Sequence, residues 1–139
     1  MSPRPQDAAP RHRVLIVDDE ESTRLLIARL LTRAMKVEPQ LAGTCEQALR
    51  LARNYAYDAI LLDLRMPGMG GLELLRQIRR SSANMASPVL IVTMIADADT
   101  IERCRDAGAD AHLAKPVDGR RLVAAVRKLL AQRGKSRIP

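Results

Sequence analysis

The sequence predicts a doubly wound α/β domain in which five parallel strands alternate with five helices. Two observations carry this expectation. Three short apolar runs, Val14–Val17, Ala59–Leu62 and Val89–Val92, are rich in Val, Ile and Leu and too short for helices. That is the pattern of strands buried on both faces. Between them, apolar residues recur at helical spacing, so strand and helix alternate along the chain.

The elements follow in order. Val14–Val17 is the first strand, and Leu26, Ile27, Leu30, Leu31 and Ala34 then form one helical stripe, with Arg29 and Arg33 off its centre. Gln40–Gly43 reads as a short edge strand. Cys45, Ala48, Leu49 and Ala52 form a second stripe, opened by Thr44 with Gln47 three residues on, a capping-box pattern. Ala59–Leu62 is the third strand. Leu74, Leu75 and Ile78 form the third stripe, after a Gly70-Gly71 turn. Val89–Val92 is the fourth strand. The stretch Asp99–Ala107 is polar, with only Ile101 and Cys104 clearly apolar, and Gly108 suits a helix end. A fifth strand is expected at Ala111–Ala114. Leu122, Val123, Val126, Leu129 and Leu130 form the last stripe, with Asp118 placed to cap it. The domain is bounded at 13–133, between a polar tail at 1–12 and a basic tail at 134–139.

Composition narrows the class. A chain of 139 residues with 47% hydrophobic residues can bury one core of its own. Phe and Trp are absent, and Tyr55 and Tyr57 are the only large aromatics, so that core must be aliphatic. No apolar run approaches the roughly 18 residues of a membrane span, and the first 13 residues carry no apolar stretch of a secretory signal. A cytoplasmic protein is expected. Cys45 and Cys104 lie far apart, without metal-ligand or disulfide spacing, and read as two small buried hydrophobes. The net charge of +7 sits at the ends: Arg4, Arg11 and Arg13 against Asp7, and Arg127, Lys128, Arg133, Lys135 and Arg137 with no acid. The body between is neutral. Such tails can meet an acidic partner or nucleic acid, or can simply be solvated.

Ligands of this kind of sheet bind beyond the carboxyl ends of the strands. The first strand ends in Asp18-Asp19, the third in Asp63, the fourth in Thr93 and the fifth in Lys115. Three carboxylates at one edge repel one another unless a cation neutralises them. Oxygen donors suit a hard ion such as Mg²⁺, which keeps several waters in an open site. A metal, an ammonium group and a hydroxyl together are parts for stabilising a transferring phosphoryl group.

These motifs resemble the receiver domains of bacterial two-component response regulators. They are Val14-Leu-Ile-Val-Asp-Asp-Glu20, Asp58-Ala-Ile-Leu-Leu-Asp63 with Met66-Pro67 and Gly71, Val92-Thr93, and Ala107-Gly-Ala-Asp-Ala-His-Leu-Ala-Lys-Pro116. The resemblance covers roughly residues 13 to 132. It implies a flavodoxin-like fold with strand order 2-1-3-4-5. It implies Asp63 as phosphoacceptor, taking its phosphoryl group from a histidine kinase or histidine phosphotransfer protein. Mg²⁺ would be held by Asp19 directly, Asp18 mostly through water, Asp63, and the backbone carbonyl of Arg65. Lys115 would pair with the phosphoryl oxygens, after a cis Lys115-Pro116 bond. Thr93 would carry the switch, and the main chain at Met94 would face the phosphoryl group. Such a protein is not an enzyme in the ordinary sense, although it assists its own phosphorylation and dephosphorylation. Asp63 is followed by Leu64 and Arg65, without the second aspartate of aspartyl-phosphate phosphatases, which argues against a metal hydrolase.

Three positions depart from that family's pattern. His112 stands where an aromatic switch residue is usual; it can make the same inward-outward choice or remain an ordinary surface histidine. Met94 replaces a small residue and can either shield the acyl phosphate or point away. Arg120-Arg121 replace an acid near the start of the last helix, so the dimer that pairs the fourth helix, fifth strand and fifth helix is not expected. A monomer or weak dimer acting by contact with an unidentified target protein is the leading expectation. A phosphate sink, a receiver fragment of a hybrid kinase and a nucleic-acid-associated regulator using its basic tails are the alternatives. The missing aromatics and recognition motifs count against nucleic acid.

Overall fold

A computed structural model of the chain describes residues 11–81 and 83–134. The expected tails, 1–12 and 134–139, therefore lie almost wholly outside the described residues. Five strands alternate with five helices: β1 (His12–Val17), α1 (Glu21–Ala34), β2 (Val37–Ala42), α2 (Cys45–Asn54), β3 (Ala59–Leu62), α3 (Gly70–Arg80), β4 (Val89–Thr93), α4 (Ala98–Asp106), β5 (Ala111–Ala114) and α5 (Gly119–Gly134). All neighbouring strands are parallel, in the order β2-β1-β3-β4-β5. This is the flavodoxin-like order that the resemblance implied.

Strand alternation splits the core between two helix layers. Leu15, Val17, Ile60, Leu62, Val89 and Ile91 face α2, α3 and α4, packing on Ala48, Leu74, Ile78 and Cys104. Val14, Ile16, Ala59, Leu61, Leu90 and Val92 face α1 and α5, packing on Ile27, Leu31, Leu122 and Val126. Both cysteines are free and buried, as expected. Among the described residues no helix is long and apolar enough to cross a membrane.

Several elements differ from their expected form: β1 starts at His12, two residues before the expected Val14. β2 starts at Val37, three residues before the expected Gln40, and ends at Ala42. Pro39 sits inside it, which an edge strand tolerates because its outer side needs no amide donor. In α1 only Ile27 and Leu31 are buried, while Leu26, assigned to the apolar stripe, is 45% exposed. The caps behave as read. The Thr44 hydroxyl accepts from Gln47 N, the Gln47 side chain accepts from Gly43 N, and Asp118 Oδ1 accepts from Arg120 N and Arg121 N. Asp97, one residue before α4, also caps it through Thr100 N, and Gly108 ends the following turn with φ +110°.

Register levels the strand ends. Val17 is opposite both Ala42 and Leu62, so Asp18 and Asp63 leave the sheet side by side. Thr93 is opposite Ala114, which brings Lys115 next in line.

Candidate functional site

Short hydrogen bonds fix the chain where each site residue leaves the sheet. Asp18 N donates to Ala42 O at 3.1 Å, Asp63 N to Val17 O at 3.0 Å and Lys115 N to Thr93 O at 3.0 Å. Gly71 closes the loop after β3. A Cβ there would lie 2.3 Å from the Asp63 carbonyl oxygen and 2.6 Å from Leu64 Cα, so only glycine lets α3 start this close to Asp63.

Asp18, Asp63 and Thr93 are buried, and Asp19 is exposed at the rim. Lys115 Nζ donates to Asp18 Oδ2 at 2.7 Å and to Asp63 Oδ2 at 2.9 Å. The other oxygens of the two carboxylates accept main-chain donors, Asp18 Oδ1 from Glu20 N at 2.9 Å and Asp63 Oδ1 from Arg65 N at 3.2 Å. Burial by itself would lower the Lys115 pKa. The hydrogen bonds to Asp18 and Asp63 outweigh it and hold the ammonium above its ordinary range. The Lys115-Pro116 bond is cis.

Asp18, Asp19 and Asp63 each offer an oxygen within 4.8 Å of the others. One ammonium leaves this trio two negative charges in excess. An all-oxygen donor set with that excess, at the mouth of an open cleft, fits a hard divalent cation that keeps part of its water. The cleft is lined by Asp19, Glu20, Asp63, Leu64, Arg65, Met66, Pro67, Met94 and Lys115.

Thr93 Oγ1 accepts from Ile95 N at 3.3 Å, so its hydroxyl is tied to its own loop beside the cleft. Met94 is 68% exposed at the cleft wall. His112 is exposed on β5 and lines a small cavity with Ile91, Ile101 and Cys104 beneath α4. Arg120 and Arg121 are exposed at the start of α5. The fold thus gathers Asp18, Asp19, Asp63, Arg65, Thr93, Met94 and Lys115 at one edge, with His112 further down the fifth strand. Sequence reasoning overlooked Arg24, whose Nη1 donates to the Asp18 carbonyl at 2.6 Å. No sequence signal marks it, because its partner is a main-chain carbonyl.

A parallel sheet of this order, with clustered aspartates and a lysine at its carboxyl edge, defines a signalling receiver. The chain belongs to the response regulator receiver domain family, whose pattern it matches over residues 14–127. It is 38% identical over 113 residues to the sensory/regulatory protein RpfC of Xanthomonas campestris, covering 80% of this chain and 15% of that protein. It is 32% identical over 120 residues to the transcriptional regulatory protein PdtaR of Mycobacterium tuberculosis, covering 86% of this chain and 57% of the relative. The chain therefore spans between 15% and 57% of these relatives' lengths. Among solved structures it is similar to a CheY-like receiver domain protein of Methanospirillum hungatei, with a TM-score of 0.84 and 27% identity over 90% of this chain and 98% of the other. It is also similar to the receiver domain of a sensor histidine kinase of Pseudomonas aeruginosa, in which a magnesium ion is coordinated in the active-site cleft. There the TM-score is 0.79 and the identity 28%, over 88% of this chain and 99% of the other.

Proposed function

We propose that this chain is a cytoplasmic phosphoacceptor switch. It takes a phosphoryl group from a histidine kinase or histidine phosphotransfer protein onto Asp63, with Mg²⁺, and signals by protein contact. The observation that carries the reading is the buried Asp63 carboxylate, 2.9 Å from Lys115 Nζ and opening on the acidic cleft.

In the step proposed, an Asp63 oxygen attacks the phosphorus of a phosphohistidine. A P–O bond forms, the N–P bond breaks, and the imidazole leaves with the electron pair. Lys115 turns from the Asp63 carboxylate to the incoming phosphoryl oxygens and offsets their charge. Asp18, Asp19, Asp63 and the Arg65 carbonyl would hold Mg²⁺, which when bound supplies charge neutralisation at the phosphoryl oxygens. The Thr93 hydroxyl exchanges Ile95 N for the phosphoryl group, and His112 responds at the cavity under α4. Water then cleaves the acyl phosphate and restores the carboxylate.

The test is phosphotransfer from purified histidine kinases with labelled ATP and Mg²⁺, with acetyl phosphate as a kinase-free donor. Label is expected on the wild-type chain and none on Asp63→Ala. Equal labelling of both, or none from any donor, would sink the proposal.

A second reading, a receiver working inside a phosphorelay as sink or intermediate, is favoured by one finding. The Xanthomonas relative is a much longer sensory protein, of which the match spans 15%. Label passing from Asp63 to a phosphotransfer histidine faster than it is lost to water would select this reading.

A further inference from the structure

Arg24 lies at the end of the first turn of α1, and no step proposed above uses it. Its Nη1 donates to the Asp18 carbonyl at 2.6 Å. That carbonyl belongs to the planar peptide joining Asp18 to Asp19, so holding it orients the backbone from which both carboxylates hang. The arginine is itself anchored, because Arg24 N donates to Glu20 O at 3.0 Å. The guanidinium rests against Gly43, just after β2. A Cβ at Gly43 would lie 2.7 Å from the same Nη1 and 3.2 Å from Cζ. The positive-φ glycines are Gly68, Gly70 and Gly108, so the backbone at Gly43 does not call for glycine. A Cβ there would instead push on the Arg24 guanidinium, the end of a flexible side chain that would have to move off its present seat.

We infer that Arg24 is a positioning residue for the metal-binding carboxylates, acting through the Asp18–Asp19 peptide and seated by Gly43. The inference rests on the Mg²⁺ site proposed above. Charge alone makes the opposite forecast. A cation beside a divalent site repels the ion, so deleting it should tighten binding. Weaker binding is therefore the signature of positioning.

The experiment is a Mg²⁺ titration of the isotope-labelled full chain, followed by the amide signals of Asp19 and Asp63, with metal-free thermal unfolding alongside. Arg24→Ala is expected to weaken Mg²⁺ binding about tenfold, the scale seen when outer-shell partners of metal ligands are removed. Arg24→Lys should recover part of the loss. Gly43→Ala keeps the charge but displaces the guanidinium and should weaken binding similarly. The double variant should be no weaker than either single one, because both act through one contact. If Arg24→Ala does not fold, Gly43→Ala and Arg24→Lys carry the test. Binding by Arg24→Ala as tight as wild type or tighter overturns the inference. So do additive losses in the double variant, or a loss that tracks general unfolding. Wild-type protein that binds no Mg²⁺ overturns the metal site itself, and this inference with it.

Discussion

At the residue scale the site depends on pairs that are far apart in sequence and level in the sheet. Lys115 reaches two buried carboxylates at once, and each carboxylate spends its second oxygen on a main-chain amide two residues on. Asp18, Asp19, Asp63 and Thr93 were legible because each follows an apolar run that reads as a buried strand, and Lys115 because a fifth strand was expected just before it. Arg24 was not, because helical periodicity places it among ordinary polar positions, and its partner is a carbonyl, which leaves no mark in a sequence. Met94, like His112, is a residue whose role the sequence left open. Its exposed side chain forms part of the cleft wall near Asp63 and Lys115. An apolar cover over a reactive acyl phosphate slows attack by water, so Met94→Ala should dephosphorylate roughly threefold faster than wild type. The check is the decay of labelled phosphoprotein after the donor is removed, and equal decay rates would show that the side chain does not shield Asp63.

At the scale of elements, legibility followed burial. The fully buried β3 coincides with its apolar run, whereas the partly exposed β5 was expected only as the strand that follows the fourth helix. The edge strand β2 is only partly buried in its middle, so Glu38 and Pro39 masked its start. In α1, period alone could not separate Ile27 and Leu31, which face the sheet, from Leu26, which flanks Thr23 and Val117 at the surface. What holds α2, the β3 entry and the α3–β4 loop together was not legible at all. Asn84, fully buried, donates from Nδ2 to Ala52 O and Tyr55 O, and its Oδ1 accepts from Tyr57 N at 2.9 Å and Ser87 Oγ at 2.8 Å. Every buried side-chain polar atom among the described residues has a hydrogen-bond partner, so there is no spare group to replace this one. Asn84→Ala should cost about 3 kcal/mol, the scale of leaving buried polar groups unpaired. Urea unfolding measures it, and a loss under about 1 kcal/mol would show that water or a loop shift re-pairs those groups.

At the scale of the whole molecule, stability and the site share their charges, and the alkaline limb of the stability curve should show it. Four groups with raised folded values shape that limb, and the thiols of Cys45 and Cys104, pushed up by burial, come first. Lys115 is held above its ordinary range by Asp18 and Asp63, against the opposing effect of burial. Tyr57 is pushed up to about 12, chiefly by burial. In the unfolded chain Lys115 and Tyr57 titrate at about 10.4 and about 10. Each of the four groups therefore contributes its full stability below its unfolded value and loses it as pH climbs through its higher folded value. The urea midpoint, in metal-free buffer, should stay level from neutral pH to about pH 8 and then fall, first through the two thiols and then through Tyr57 and Lys115. Lys115→Met should make the upper part of that fall shallower, leaving the thiol and Tyr57 parts. It should also lower stability at pH 8 by about 3 kcal/mol, because Asp18 and Asp63 then face each other without a cation. Tyr57→Phe should flatten the same limb without the penalty from unpaired carboxylates, at the cost of the hydroxyl's bond to Gln40. If the Lys115→Met/Tyr57→Phe double variant kept the wild-type slope above about pH 10, that part of the limb would have to come from other groups, and the Lys115 bridge would carry no weight in holding the sheet's carboxyl edge together.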